Sequence, residues 1–343
     1  MNKKLLLICM ALSSFLGMSA KSYDNPDTLI VARDGTGEFR TVGEAVEVCR
    51  AFMEYHKVIF VKKGVYKEKL IITSWLTNIE ICGEDAEQTI ITYDDHANIQ
   101  IPKVGADPSD NTLKPELRTQ GMGTFRTYTV KVEGTDITFK NITIENNAAK
   151  LGQAVALHTE GDRLIFVGCR LLGNQDTVYT GTGGTRIYFL NCYIEGTTDF
   201  IFGPSTAWFE NCTIKSKVNS YVTAASTPKE VKYGYVFNRC RLIADAQADK
   251  VYLGRPWRPY AHTLFMNCEL GKHIVPAGWH NWGKASNETT TRYEEYNNSG
   301  DGASPKTRVA WSRQLSKKEA AAITPEAVFS TNDHWNPVTA AAK

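Results

Sequence analysis

Beyond its first twenty residues the chain has no apolar run long enough to cross a bilayer, which takes roughly 20 residues. No membrane span is therefore expected. An excess of one charge is also missing, with 39 Lys and Arg against 37 Asp and Glu. That balance leaves no electrostatic footprint for nucleic acid, and any acidic ligand must be recognised locally. There is no CxxC, and no Cys/His spacing of the zinc-binding kind. Of the eight cysteines, Cys9 lies in a leader-like segment; the remaining seven are an odd number without close pairs, which argues against a disulfide framework. There is no GxSxG nucleophile elbow, and the seven histidines form no HExxH, so they read as structural or surface groups.

The leader-like segment is residues 1–20. Lys3 and Lys4 are followed by a mostly apolar stretch and by Met18-Ser19-Ala20, which ends in a small residue suited to cleavage. The expected organisation is a signal peptide over 1–20 and one domain over 21–343, exported to the periplasm or secreted. Without Lys3 and Lys4 the basic count equals the acidic count of 37.

What the chain does have is a repeat. Val167-Gly168-Cys169-Arg170-Leu171, Leu190-Asn191-Cys192-Tyr193-Ile194, Glu210-Asn211-Cys212-Thr213-Ile214, Asn238-Arg239-Cys240-Arg241-Leu242 and Met266-Asn267-Cys268-Glu269-Leu270 share one form. Lys140-Asn141-Ile142-Thr143-Ile144 repeats it with Ile for Cys, and Asn78-Ile79-Glu80-Ile81 reads as an earlier copy. The cysteine positions give a period in the twenties, with no helical pattern between most units. Each unit alternates apolar with polar residues, as a strand with one buried face does. Units this short cannot bury that face alone, so they stack. The expected fold is all-β, a single-domain parallel β-helix with the five cysteines as an inward ladder of small apolar groups.

A solenoid needs covered ends. Thr41 and Glu44 have capping-box spacing ahead of an amphipathic stretch to Tyr55, which predicts a capping N-terminal helix. Ser316 and Glu319 repeat the spacing and predict a short C-terminal helix that stops near Pro325. Residues 102–123 and 284–307, rich in Gly, Pro, Asn, Asp and Lys, predict long loops.

Gln153, Asp176 and Asp199 are equally spaced along the chain, and each Asp stands at the same offset from its ladder cysteine, Cys169 or Cys192. Adjacent strands lie about 4.8 Å apart. The two carboxylates should then sit side by side on neighbouring coils, with Gln153 one coil further along. Arg255 follows Asp199 at a distance that fits two longer coils. Carboxylates about 5 Å apart do not both ionise easily, which leaves one charged group and one acid. Turn aspartates are usually solvated, but the Phe and Ile beside Asp199 indicate partial desolvation. Such a pair serves glycosidases as well as esterases. A neutral Gln, able to donate to an oxyanion, tilts the balance toward acyl transfer.

At these residues the chain resembles the pectin methylesterases. The resemblance is carried by Gly64-Val65-Tyr66-Lys67-Glu68, Gln153-Ala154-Val155-Ala156-Leu157, Gln175-Asp176-Thr177-Val178-Tyr179, Gly196-Thr197-Thr198-Asp199-Phe200-Ile201-Phe202-Gly203 and Leu253-Gly254-Arg255-Pro256-Trp257, in that order. It implies a right-handed β-helix that acts on methylated polygalacturonate, with no metal and no cofactor. Asp199 would be the nucleophile, Asp176 the proton carrier, Gln153 and Gln175 the oxyanion hole, and Arg255 the residue that positions Asp199. Trp257 would form an aromatic wall under a sugar ring, and Phe202 would line the groove. Trp279 and Trp282 read as core. A monomer is expected. The other reading kept open is a related β-helix esterase acting on a different ester or on an acyl thioester. Gly300-Asp301-Gly302-Ala303 departs from the family's usual Gly-Pro-Gly-Ala and leaves the loop near the groove in question.

Overall fold

The structure is a computed structural model that describes residues 22–329 and 333–341. The expected leader lies outside these residues. Within them the chain winds through three strands per coil in a fixed order. One coil is Leu157–Thr159, Leu164–Val167 and Arg170–Leu172; the next is Val178–Thr180, Arg186–Leu190 and Tyr193–Gly196. Stacked coils form parallel sheets of 7, 11 and 8 strands, the expected parallel β-helix.

The repeated motif marks the corner between the 11-stranded and 8-stranded sheets. The residue before each ladder position turns the chain through the left-handed region: Asn141, Gly168, Asn191, Asn211, Arg239 and Asn267 have φ of 50°, 61°, 54°, 53°, 54° and 56°. Asn and Gly tolerate that region best, which accounts for their recurrence. The asparagines also bond along the stack, Asn211 Nδ2 donating to Asn191 Oδ1 at 2.7 Å and Asn297 Nδ2 to Asn267 Oδ1 at 2.9 Å. The next residue points inward, so Cys169, Cys192, Cys212, Cys240 and Cys268 are buried and unbridged. Each thiol donates to a phenylalanine carbonyl one coil back, as Cys169 does to Phe139 at 3.4 Å and Cys240 to Phe209 at 3.3 Å. The ladder is therefore partly polar, with its weak donors satisfied. Those phenylalanines form a second ladder inside the coil. Rings of Phe139, Phe166, Phe189, Phe209, Phe237 and Phe265 follow one another at 5.3, 4.9, 4.6, 4.3 and 4.3 Å.

The fold departs from four expectations. Asn78-Ile79-Glu80-Ile81 is not a copy of the 8-stranded-sheet unit. Ile79 and Ile81 pair with Ile137 and Phe139 in the 11-stranded sheet, and the true counterpart of Thr143–Asn146 is Thr89–Tyr93. Both segments place alternating Ile after a left-handed Asn, so local pattern does not separate them. The N-terminal helix has its capping box but covers only Val42–Glu47. Phe52 then turns left-handed and donates to Trp75 O at 2.8 Å, ending the helical path.

The region 284–307 is not a loop throughout. Arg292–Tyr296 is a strand of the 11-stranded sheet. Its Glu-rich sequence hides this, because Glu295 is buried yet held by two bonds from Arg308, at 2.8 and 3.2 Å. Residues 102–123 leave the coil as expected but carry an antiparallel pair, Gln100–Pro102 with Thr119–Gly121.

The C-terminal end forms three short helices, Lys317–Ala321, Pro325–Phe329 and Pro337–Ala341, so Pro325 starts a helix as well as following one. They lie on the outer face of the 11-stranded sheet. There a cross-coil row of Ile165, Tyr188, Trp208, Val236 and Leu264 is buried with Leu315, Ile323, Val328 and Phe329. Those strands are apolar on both faces because this segment covers the second one.

Candidate active site

Asp176 and Asp199 stand at the corner where the chain enters the 7-stranded sheet. The register Val178↔Ile201 and Tyr179↔Phe202 puts them level on adjacent coils. Both are left-handed, with φ of 67° and 50°, a conformation short polar Asp accepts more readily than most residues. Gly196 supports the second corner, because a Cβ there would collide with Phe200 and the Asn174 carbonyl. The side chains face a cleft of about 370 Å³ lined by Thr124, Phe125, Gln153, Gln175, Asp176, Asp199, Phe202, Ala224, Arg255, Trp257 and Trp282. Every residue proposed from the sequence is among them.

The two aspartates differ in partners. Arg255 holds Asp199 through both oxygens, Nε to Oδ1 at 2.9 Å and Nη2 to Oδ2 at 2.6 Å. Such a bidentate charged pair favours the carboxylate. Asp176 has no ion pair or side-chain hydrogen bond among the described residues. Burial, and then the charge of Asp199, push its carboxyl up to about 8, against a weaker pull from Arg255. Burial raises Asp199 as well, opposed by the hydrogen bonds and charge of Arg255. Of the two, Asp176 is therefore the carboxyl that keeps a proton more readily, and Asp199 the one whose charge Arg255 supports.

Two partners lie on the coils that spacing indicates but out of level with the aspartates. The coil of Gln153 is offset from that of Asp176 by the register Leu157↔Val178, so Val155, not Gln153, is level with Asp176. Gln153 enters the cleft from the turn before its strand. Likewise Tyr221 and Tyr252 continue the column of Asp199, and Arg255 reaches back from further along its coil. Neither Gln153 nor Gln175 uses its side-chain amide in a hydrogen bond among the described residues. Both are half-buried beside the carboxylates.

Three aromatic residues at or beside the cleft escaped the sequence reading. Trp282, taken as core, lies over Arg255 with the guanidinium carbon 3.8 Å from its ring centre. Tyr221 faces the same guanidinium at 4.0 Å, so Arg255 is held between two rings. Phe125 arrives on the excursion from the coil and packs on Tyr179 at 4.9 Å. Trp279 is core, stacked on Tyr293 at 4.1 Å. No local motif marks Trp282 or Phe125, since both depend on how loops fold back. Phe202 is buried and meets Trp257 edge-on at 5.8 Å, and both rings line the cleft that holds the carboxylates.

Fold and site together define a parallel β-helix protein with a buried aspartate pair, one member clamped by arginine, in a cleft that aromatic residues help to line. The pectinesterase family model matches residues 28–332, and the chain belongs to that family. It is similar to a probable pectinesterase/pectinesterase inhibitor of Brassica napus, 37% identical over 310 residues, 86% of this chain and 49% of that protein. The chain thus spans about half the length of that relative. Its fold is similar to the pectin methylesterase from carrot, with TM-score 0.78, 31% identity, and coverage of 90% of this chain and 94% of that one. It is also similar to a pectin methylesterase in complex with a hexasaccharide, with TM-score 0.74, 30% identity, and coverage of 90% and 98%.

Proposed function

We propose that this protein hydrolyses the C6 methyl esters of pectin, releasing methanol and leaving polygalacturonate. The observation that carries the reading is the asymmetry of the aspartate pair: Asp199 bound by Arg255, and Asp176 buried without a cation of its own. An ester hydrolase that uses a covalent intermediate needs one carboxylate ionised and one protonated.

In this mechanism an Asp199 oxygen attacks the ester carbonyl carbon, and the carbonyl electron pair moves to the oxygen. The Gln153 and Gln175 amides donate to that oxyanion without titrating. On collapse the methoxy group leaves, takes the proton of Asp176, and departs as methanol. Asp176, now ionised, removes a proton from water. The hydroxide attacks the acyl carbon and returns Asp199 to its free carboxylate. Arg255 orients Asp199 throughout, held by Tyr221 and Trp282. Phe202, Trp257 and Trp282 supply apolar faces for sugar rings. These rings favour a sugar ester over an acyl thioester. The leader over residues 1–20 fits action outside the cytoplasm, with the domain over 21–343. Among the described residues no helix is long and apolar enough to cross a membrane.

The test is methanol release from highly methylated pectin with polymer length followed in parallel. Methanol without shortening is expected. Shortening, or new unsaturated ends without methanol, would overturn the reading.

A further inference from the structure

Trp282 lies over Arg255 in a backbone conformation that its bulk disfavours, with φ of 61°. A bulky residue stays left-handed only where its surroundings fix it. Both sides of this turn are anchored. On one side it runs beside the strand that leads to Arg255: Leu253 N donates to Gly278 O at 2.7 Å, and His280 N to Gly254 O at 3.1 Å. On the other, Asn281 Oδ1 accepts from Gly283 N at 2.8 Å, and Asn281 Nδ2 donates to Glu288 Oε1 at 2.7 Å. Between them the Trp282 amide donates to His280 Nδ1 at 3.0 Å. An asparagine side chain builds a turn by the same reach to the backbone two residues on, and here an imidazole makes it. The ring itself packs against Tyr221 and Tyr252, 5.4 Å centre to centre in each case.

We propose that His280 is a positioning residue for ester hydrolysis: by holding the turn of Trp282 it keeps the indole on Arg255, and so keeps Arg255 on Asp199, a role that rests on the pectin-esterase reading. Accepting at Nδ1 requires the neutral ring, with its proton on Nε2. Burial, and then the charge of Arg255, lower the imidazole from its ordinary value and favour that form. The titratable and charged groups around it are Tyr221 and Tyr252 on the 7-stranded sheet, Arg255 just past its last strand, and Lys284 and Glu288 in the segment after the turn. Glu288 already accepts from Asn281, and no carboxylate pairs with His280 among the described residues. An imidazolium would face the Arg255 charge and, with both ring nitrogens turned donor, would release the Trp282 amide. Without its acceptor the indole leaves a strained turn, and the guanidinium beneath it loosens. A looser Arg255 supports the Asp199 charge less, so Asp199 takes up its proton at a higher pH.

The experiment compares kcat, KM and the pH profile of methanol release from highly methylated pectin for the parent, His280→Leu and His280→Asn. Leu fills the space without an acceptor, whereas Asn supplies one at the same reach that does not titrate. His280→Leu should lose about tenfold in kcat, the size of one hydrogen bond, with KM changed less. Its acid limb should move to higher pH, a shift that lost packing alone does not produce. His280→Asn should keep a near-parental kcat and an acid limb no higher than the parent's. In a Trp282→Ala background His280→Leu should cost much less than in the parent, because it acts through Trp282. Parental kcat and acid limb in His280→Leu, equal losses in the Leu and Asn variants, or full additivity with Trp282→Ala would overturn the proposal. If His280→Leu does not fold, His280→Asn decides alone, and a large loss of kcat in it overturns the proposal. No methanol from the parent would instead overturn the esterase reading beneath it.

Discussion

Asp176 and Asp199 share one left-handed backbone conformation on adjacent coils, yet only Asp199 meets a guanidinium, Arg255 Nη2 standing 2.6 Å from its Oδ2. Similar corners thus hold two carboxylates in different electrostatic surroundings. The difference comes from a residue two coils away.

Asp199→Ala should lower methanol release by at least about 10³-fold, since a covalent route loses its nucleophile. The ladders inside the coil do not involve this side chain, so far-UV circular dichroism should be unchanged. Stability should fall, because Arg255 keeps its place between Tyr221 and Trp282 with its charge unpaired. Near-parental turnover in the folded variant would refute the assignment.

Activity should fall on both sides of a pH optimum. Above about 8 Asp176 loses the proton it must donate. On the acid side Asp199, raised by burial, is protonated and cannot attack. Stability carries a matching signature. The folded protein keeps the Asp176 proton to about pH 8, and the unfolded chain releases it at about 4. The folded state therefore binds more protons between these values, and stability drops as pH rises, by at most about 1.4 kcal/mol per pH unit. Asp176→Asn should flatten that slope in urea titrations at several pH values. An unchanged slope would contradict it.

Gln175→Leu should reduce kcat by about 10²–10³ with little change in KM, as expected for a donor that acts only on the developing oxyanion. Steady-state methanol release measures both constants. A rise in KM alone would make Gln175 a ground-state contact.

The ladder thiols should resist modification. Burial raises the Cys169, Cys212 and Cys240 thiols well above the ordinary range, and all five ladder cysteines are buried. A disulfide reagent under native conditions should label none of the five, and all of them in denaturant. Cys212→Ser should cost about 1–3 kcal/mol by placing a stronger polar group in a site tuned to a weak donor. Rapid native labelling of the ladder would contradict the packing.

Much of this was legible because a β-helix repeats one corner many times. The Asn-Cys pair gives both its backbone conformation and its side-chain direction, and the aspartates lie at a fixed offset from it, at the next corner of the same coils. The level placement of Asp176 and Asp199 follows directly from equal spacing. Spacing failed where coils differ in turn length. Gln153 precedes Asp176 by the same interval that separates the two aspartates, but it is out of register with Asp176, because the extra residues lie in the turns and not the strands. The strand Arg292–Tyr296 was hidden for another reason: its buried Glu295 is matched by Arg308, a partner from a later segment. Trp282 and Phe125 reach the cleft from segments whose paths no local pattern records.

The corner at which the aspartates sit has a consequence for how such a protein varies. The chain from Cys192 to Cys212 is markedly shorter than the chain from Cys212 to Cys240, but the strands that follow these cysteines pair without a break. Extra chain is spent sideways, in the turns, while the rise from one level to the next is set by the backbone ladder. The reacting groups are thus tied to the pitch of the stack, and the surrounding walls belong to loops of unconstrained length. Lengthening the excursion that carries Phe125 would reshape the wall of the cleft and leave the distance between Asp176 and Asp199 untouched.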